Sequence, residues 1–211
     1  QLVDEADAMS GISVCVFTGA GKSFCAGMDL RAVLDEPGAP AKLLSRIAEL
    51  SISIRSMRAV TVARVNGAAI GGGCGIVSVC DLAITHESAK LGFPEVDMGV
   101  CPAVVAPWLV ARIGAGRARA TLLMGGTMGG TEAARIGLVT SCVADDQFDE
   151  AAERTVSRLA KAGPNALRAT KELLNDLDGD SLHAAVRKGA ALSAEVVTSD
   201  EARAMLGALY K

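Results

Sequence analysis

The stretch Val65-Asn66-Gly67-Ala68-Ala69-Ile70-Gly71-Gly72-Gly73-Cys74-Gly75 holds a turn and three successive glycines between two apolar runs. Residues 60–65 suit a buried strand, and Asn66-Gly67 ends it as a turn. Residues 76–80, on the far side, suit a short helix. Glycines at such a junction let a ligand approach the backbone closely. The helix start offers free N–H groups and the positive end of a dipole. That combination suits an oxygen that becomes negative during a reaction. A strand-to-helix turn that only needs tight packing would use the same residues, and this stretch alone leaves both readings open.

Outward from it, apolar runs at 13–17, 82–85 and 138–143 predict further strands. Between them, apolar residues at 43, 44, 47, 50 and 54 predict a helix over 41–57. Two more helices are expected over 103–113 and 117–124. After residue 147 the pattern is helical throughout, over 148–162, 165–177, 182–197 and 200–209. Ser199 stands at the last start as an N-cap. The expected class is α/β, with a core over 1–146 and a helical C-terminal region over 147–211.

At 211 residues the chain can bury one core, and with 50% hydrophobic but 3% aromatic residues that core is built of Ala, Val, Leu and Gly. A net charge of −3, with its positive charges dispersed, argues against a nucleic-acid partner. The six cysteines form no C-x-x-C pair and have no zinc-like spacing to His86 or His183, so no metal is expected. Unpaired cysteines inside apolar runs imply a reducing compartment, the cytoplasm. No run reaches the ~18 apolar residues of a membrane helix. Gln1-Leu-Val-Asp-Glu5 has neither the basic nor the apolar part of a signal peptide. No membrane partner is expected.

Two other stretches carry unusual residues. Lys22-Ser-Phe-Cys-Ala-Gly-Met-Asp-Leu30 follows Gly19-Ala-Gly21, which invites a phosphate-loop reading. That motif needs glycine at position 16, which is Val16, and the reading fails. In Leu91-Gly-Phe-Pro-Glu-Val-Asp-Met-Gly99, Glu95 has apolar neighbours that should raise its pKa and suit it to proton transfer. Taken alone, it also reads as a surface loop glutamate. Asp97, two residues on in an extended stretch, would point the other way. Asp29 and Asp81 read as structural, and His86 as a solvated loop residue. Phe93 and Trp108 read as core or pocket lining.

The three stretches, in this order, resemble the crotonase (enoyl-CoA hydratase/isomerase) superfamily. The resemblance runs through residues 114–123, Thr131-Glu-Ala-Ala-Arg-Ile-Gly-Leu-Val139 and Gly163-Pro164. It implies a stack of β-β-α turns and a C-terminal helical region that builds a homotrimer or a dimer of trimers. It implies an acyl-CoA thioester as substrate, with coenzyme A part of that substrate and no separate cofactor. The thioester oxygen would be held by the backbone N–H groups of Met28 and Gly72, with Gly71 beside them. Ala26, Met28 and Leu30 would make main-chain contacts to CoA. Further strands and a helix would precede residue 13, and a tail would follow Lys211.

Hydratases of this kind use two glutamates. The second falls on Glu95, and the first falls on Gly75. A single base that ferries a proton between two carbons suits an isomerase. Residues 71–81 and Gly99-Val-Cys-Pro-Ala-Val-Val-Ala-Pro-Trp108 resemble instead a bacterial branch with methylglutaconyl-CoA-type hydratases, which also carry glycine at that position. Hydration of an enoyl-CoA, double-bond isomerisation and non-catalytic acyl-CoA binding are the three expectations. A glutamate restored at position 75 is expected to favour hydration.

Overall fold

The computed structural model describes residues 1–28 and 38–209. Two four-stranded sheets share the strands between them. The first holds β1 (Val14–Thr18), β3 (Val60–Val65), β5 (Leu82–His86) and β8 (Ser141–Val143), in that order and parallel throughout. The second holds β2 (Ser23–Cys25), β4 (Ala68–Ile70), β6 (Lys90–Gly92) and β7 (Thr127–Gly129); its first three strands are parallel and β7 is antiparallel. From β1 to β6 the chain alternates between sheets, giving one strand to each before a helix returns it; β7 then adds to the second sheet and β8 to the first. Successive turns therefore stack as β-β-α units.

Strand β3 shows why an unbroken apolar run forms here. Both faces of a parallel sheet are covered, so alternation gives way to continuous hydrophobicity. Val62, Ala63 and Val65 are fully buried. The expected strands at 13–17, 60–65 and 82–85 are present within a residue or so. The strand expected at 138–143 is shorter, because Gly137, at φ 87°, ends the helix before it. The Leu138 and Val139 amides then donate back to the Ala133 carbonyl. Strands β2, β4, β6 and β7 escape a sequence reading because each has three residues, too few to show a period of two.

The helices are α1 (Leu2–Ala8), α2 (Ala39–Ser56), α3 (Gly72–Val79), α4 (Ala106–Ile113), α5 (Ala115–Met124), α6 (Gly130–Ile136), α7 (Phe148–Ala160), α8 (Pro164–Asp178), α9 (Asp180–Val197) and α10 (Asp200–Leu209). The C-terminal helices fold back onto the sheets. Phe148 of α7 buries itself against Val62 and Ile84. Helix α9 lies along α2, and its Gly189 is close enough to the Ala103 carbonyl to leave no room for a Cβ. The Ser199 hydroxyl caps α10 through the Ala202 amide at 3.2 Å, as expected. Among the described residues no helix is long and apolar enough to cross a membrane.

Candidate active site

The three unusual stretches each leave a neighbouring strand of the second sheet. Cys25 pairs with Ala69 in β2–β4, and Ile70 with Gly92 in β4–β6. Because these strands are parallel, all three exit at the same carboxyl edge. In open parallel sheets that edge is where ligands bind. The segment after β2 reaches Met28, the segment after β4 reaches Gly72, and the segment after β6 reaches Glu95. Met28 and Gly72 line one cavity of about 240 Å³ with Glu95, together with Ala26 and Gly71. Leu30 and Asp29 lie outside the described residues.

Glycines make this convergence possible. Gly71 adopts φ 56°, ψ −120°, a conformation costly for any other residue. A Cβ there would also stand 3.0 Å from Glu95 Oε1. A Cβ on Gly73 would run into the Cys25 carbonyl, so the segments after β2 and β4 approach backbone to backbone. Gly72 opens α3, so its N–H has no partner within the helix. A Cβ on Gly72 would meet nothing within 4 Å, so its backbone faces open space.

Glu95 sits in the first turn of a short 3₁₀ helix, Pro94–Met98, and not in an extended stretch. The Val100 amide donates to its carbonyl at 2.8 Å and closes the turn. Its Oε2 is buried without a hydrogen-bond partner. Burial pushes the carboxyl up to about 7, the value at which one group serves both as base and as acid near neutrality. Asp97 points elsewhere, but because its oxygen accepts the Gly126 amide at 2.8 Å, which anchors the turn carrying Glu95.

Gly75 is buried in α3, and a Cβ there would stand 2.5 Å from Val105 Cγ1. The space a side chain would need is therefore occupied, and a glutamate added at 75 meets a stiff β-branched wall. The wall lies in the stretch 99–108 that carries a resemblance in sequence, but nothing in that stretch shows that Val105 faces position 75. Residues 101–104 are fixed by Ser193 of α9, whose hydroxyl donates to the Cys101 carbonyl at 2.7 Å and accepts the Val104 amide at 3.2 Å. Ser193 was not singled out by sequence. The pair Gly189 and Ser193, one helical turn apart, was the available hint of a close approach.

The remaining candidates fall as follows. Phe93 is core, and Trp108 donates its indole N–H to Ser51 at 2.9 Å while lining a second cavity beside α3. His86 is not a solvated loop residue: it ends β5, and its Nδ1 lies 3.0 Å from both Asp145 and Ser88. Asp81 is structural, accepting from the Thr61 amide and hydroxyl and pairing with buried Lys171 at 2.7 Å. A separate cavity of about 530 Å³ borders that ion pair and does not include Glu95, Met28 or Gly72.

The sequence pattern of the Enoyl-CoA hydratase/isomerase family matches residues 3–208. A Thermus thermophilus protein provisionally named an enoyl-CoA hydratase is 34% identical over 215 residues, spanning 100% of this chain and 85% of that protein. The Escherichia coli 2,3-dehydroadipyl-CoA hydratase is 32% identical over 188 residues, 87% of this chain and 73% of that protein. The crystal structure of an enoyl-CoA hydratase from Mycobacterium avium superposes with a TM-score of 0.87 at 27% identity, covering 99% of this chain and 80% of that one. The chain belongs to the enoyl-CoA hydratase/isomerase family, within the crotonase superfamily, and is an enzyme of the hydratase or isomerase kind.

Proposed function

We propose that this enzyme hydrates the double bond of an enoyl-CoA, or runs the reverse dehydration, with Glu95 as its single proton-transfer group. The observation that carries the reading is the cavity that brings a partly desolvated carboxyl together with the Met28 and Gly72 segments. The two backbone N–H groups hold the thioester oxygen as it becomes an enolate. The Glu95 carboxylate takes a proton from water as the oxygen adds to the β-carbon. Glu95, now protonated, returns that proton to the α-carbon. One residue completes the cycle, and no proton is gained or lost.

A second reading, double-bond isomerisation, is favoured by the filled space beside Gly75. With Val105 standing where a Cβ at 75 would go, and Glu95 the one carboxyl among the described lining residues, a lone base shuttling a proton between two carbons is the simplest chemistry. The resemblance to methylglutaconyl-CoA-type hydratases supports hydration. Incubation with 2-enoyl, 3-enoyl and methylglutaconyl-CoA esters, read by mass and absorbance, separates the readings. Hydration adds one water, whereas isomerisation changes absorbance without changing mass. Binding of acyl-CoA without turnover of any ester would make the chain a non-catalytic binder.

The cytoplasm is the proposed setting, supported by six cysteines that are all free. A homotrimer or dimer of trimers is the proposed assembly, supported by exposed Leu123, Met124, Leu173 and Leu177.

A further inference from the structure

Two cavities meet at the segment that carries the Met28 and Gly72 amides. The first contains Glu95, and the second, about 310 Å³, runs beside α3 toward Trp108. Met28, Ile47, Gly72, Val104 and Val105 line both. The second is closed further out by Leu43, Leu50, Ile76 and Trp108. The one hydroxyl among its described lining residues, on Ser51, donates to the Ala48 carbonyl at 2.7 Å and accepts from Trp108. Among the described residues no cationic side chain lines either cavity, and the one carboxyl is Glu95.

Val105 holds the junction. Its side chain is buried, and its Cγ1 occupies the volume that any side chain at position 75 would enter. Gly75 and Val105 thus share one space, filled from the wall side by methyl groups. An acyl chain running from the first cavity to the second passes an apolar surface and ends among apolar side chains.

We propose that Val105 is a specificity-determining residue: packed against Gly75, it shapes a second cavity that takes an apolar acyl chain and excludes one ending in a carboxylate. The proposal rests on the acyl-CoA reading above and adds the class of acyl group. A terminal carboxylate there would lose its water and find no cation or free donor among the described lining groups, which is strongly unfavourable. A methyl terminus loses nothing by the same move. The inference separates this chain from its Escherichia coli relative, whose name specifies a dicarboxylic acyl group, and it limits the resemblance to methylglutaconyl-CoA-type hydratases to the reaction, because their acyl group also ends in a carboxylate.

The test uses two esters of equal chain length that differ at the far end, 2-hexenoyl-CoA and 2,3-dehydroadipyl-CoA. The wild-type enzyme should favour the hexenoyl ester by at least about 10²-fold in kcat/KM. Equal efficiency on both overturns the exclusion while leaving the enzymatic reading intact. Val105→Ala opens the junction and should raise efficiency on decenoyl-CoA relative to crotonyl-CoA by roughly tenfold. Val105→Thr keeps the shape and should keep the wild-type length preference. An unchanged preference in folded Val105→Ala overturns the role of Val105. If neither six-carbon ester is turned over, the reading of the reaction fails, and the specificity is then measured as binding of hexanoyl-CoA against adipyl-CoA by calorimetry. The same preference for the apolar ester supports the proposal, and equal affinities overturn it.

Discussion

Glu95 combines a buried, unpartnered oxygen with a carboxyl raised to about 7, and those two properties predict activity and stability in opposite directions. Glu95→Gln removes the proton carrier and should lower turnover by ~10²–10⁴-fold with acyl-CoA affinity nearly unchanged. The same substitution should stabilise the fold at alkaline pH. Between the ordinary 4.5 and about 7, the folded protein keeps a proton that the unfolded chain releases, so wild-type stability falls as pH rises through that window. Thermal melts should therefore place Glu95→Gln above wild type at pH 8, by at most about 3 kcal/mol, and level with it below pH 4.5. A variant that melts at or below wild type at pH 8 would contradict this assignment of the burial penalty. At Gly72 the prediction concerns the backbone. Proline is tolerated at the first position of a helix and removes the N–H. No atom lies within 4 Å of a Cβ at this position. A folded Gly72→Pro enzyme should lose at least ~10² in kcat; normal turnover would place the oxyanion site elsewhere.

Helix α3 and the wall facing it decide how a second carboxylate could be restored. Gly75→Glu alone forces a side chain into Val105 and should destabilise the protein by ~1–3 kcal/mol without gain in hydration. Combined with Val105→Ala, it has room, and hydration of straight-chain enoyl-CoA esters should rise. A gain from the single substitution would show that Val105 yields freely. The elements beneath the site are tied by Asp81, which joins β3 through Thr61 to α8 through Lys171. Lys171 is 5% exposed and donates also to the Ala59 carbonyl at 2.9 Å. Asp81→Ala leaves that ammonium buried without its counter-charge and should cost about 3–5 kcal/mol in chemical denaturation. Elements with long apolar runs, such as β3 and α2, were legible in sequence. The short strands of the second sheet were not, although they aim every site segment, because their pairing supplies the order that three residues cannot encode locally.

At the scale of the whole molecule, the exposed leucines and Met124 of α5 and α8 predict self-association. Light scattering across a micromolar range should give the mass of a trimer or its double, and a constant monomer mass would rule this out. Sequence determined the residues whose chemistry is local. Glycines at 71 and 73 are legible because only glycine tolerates the backbone angles of the first and the close contact of the second. Glu95 is legible because its apolar neighbours desolvate it wherever the turn lies. The departure at Gly75 was visible only against the resemblance, which implies a glutamate at that position. Its consequence was not. Whether position 75 faces free space or a filled one depends on Val105, thirty residues on in the chain. Val105 is set there by α9, through Ser193 and the close approach of Gly189 to Ala103. Tertiary structure alone decided that, because packing is a contest for one volume between groups distant in sequence, and a linear chain does not show which of them occupies it.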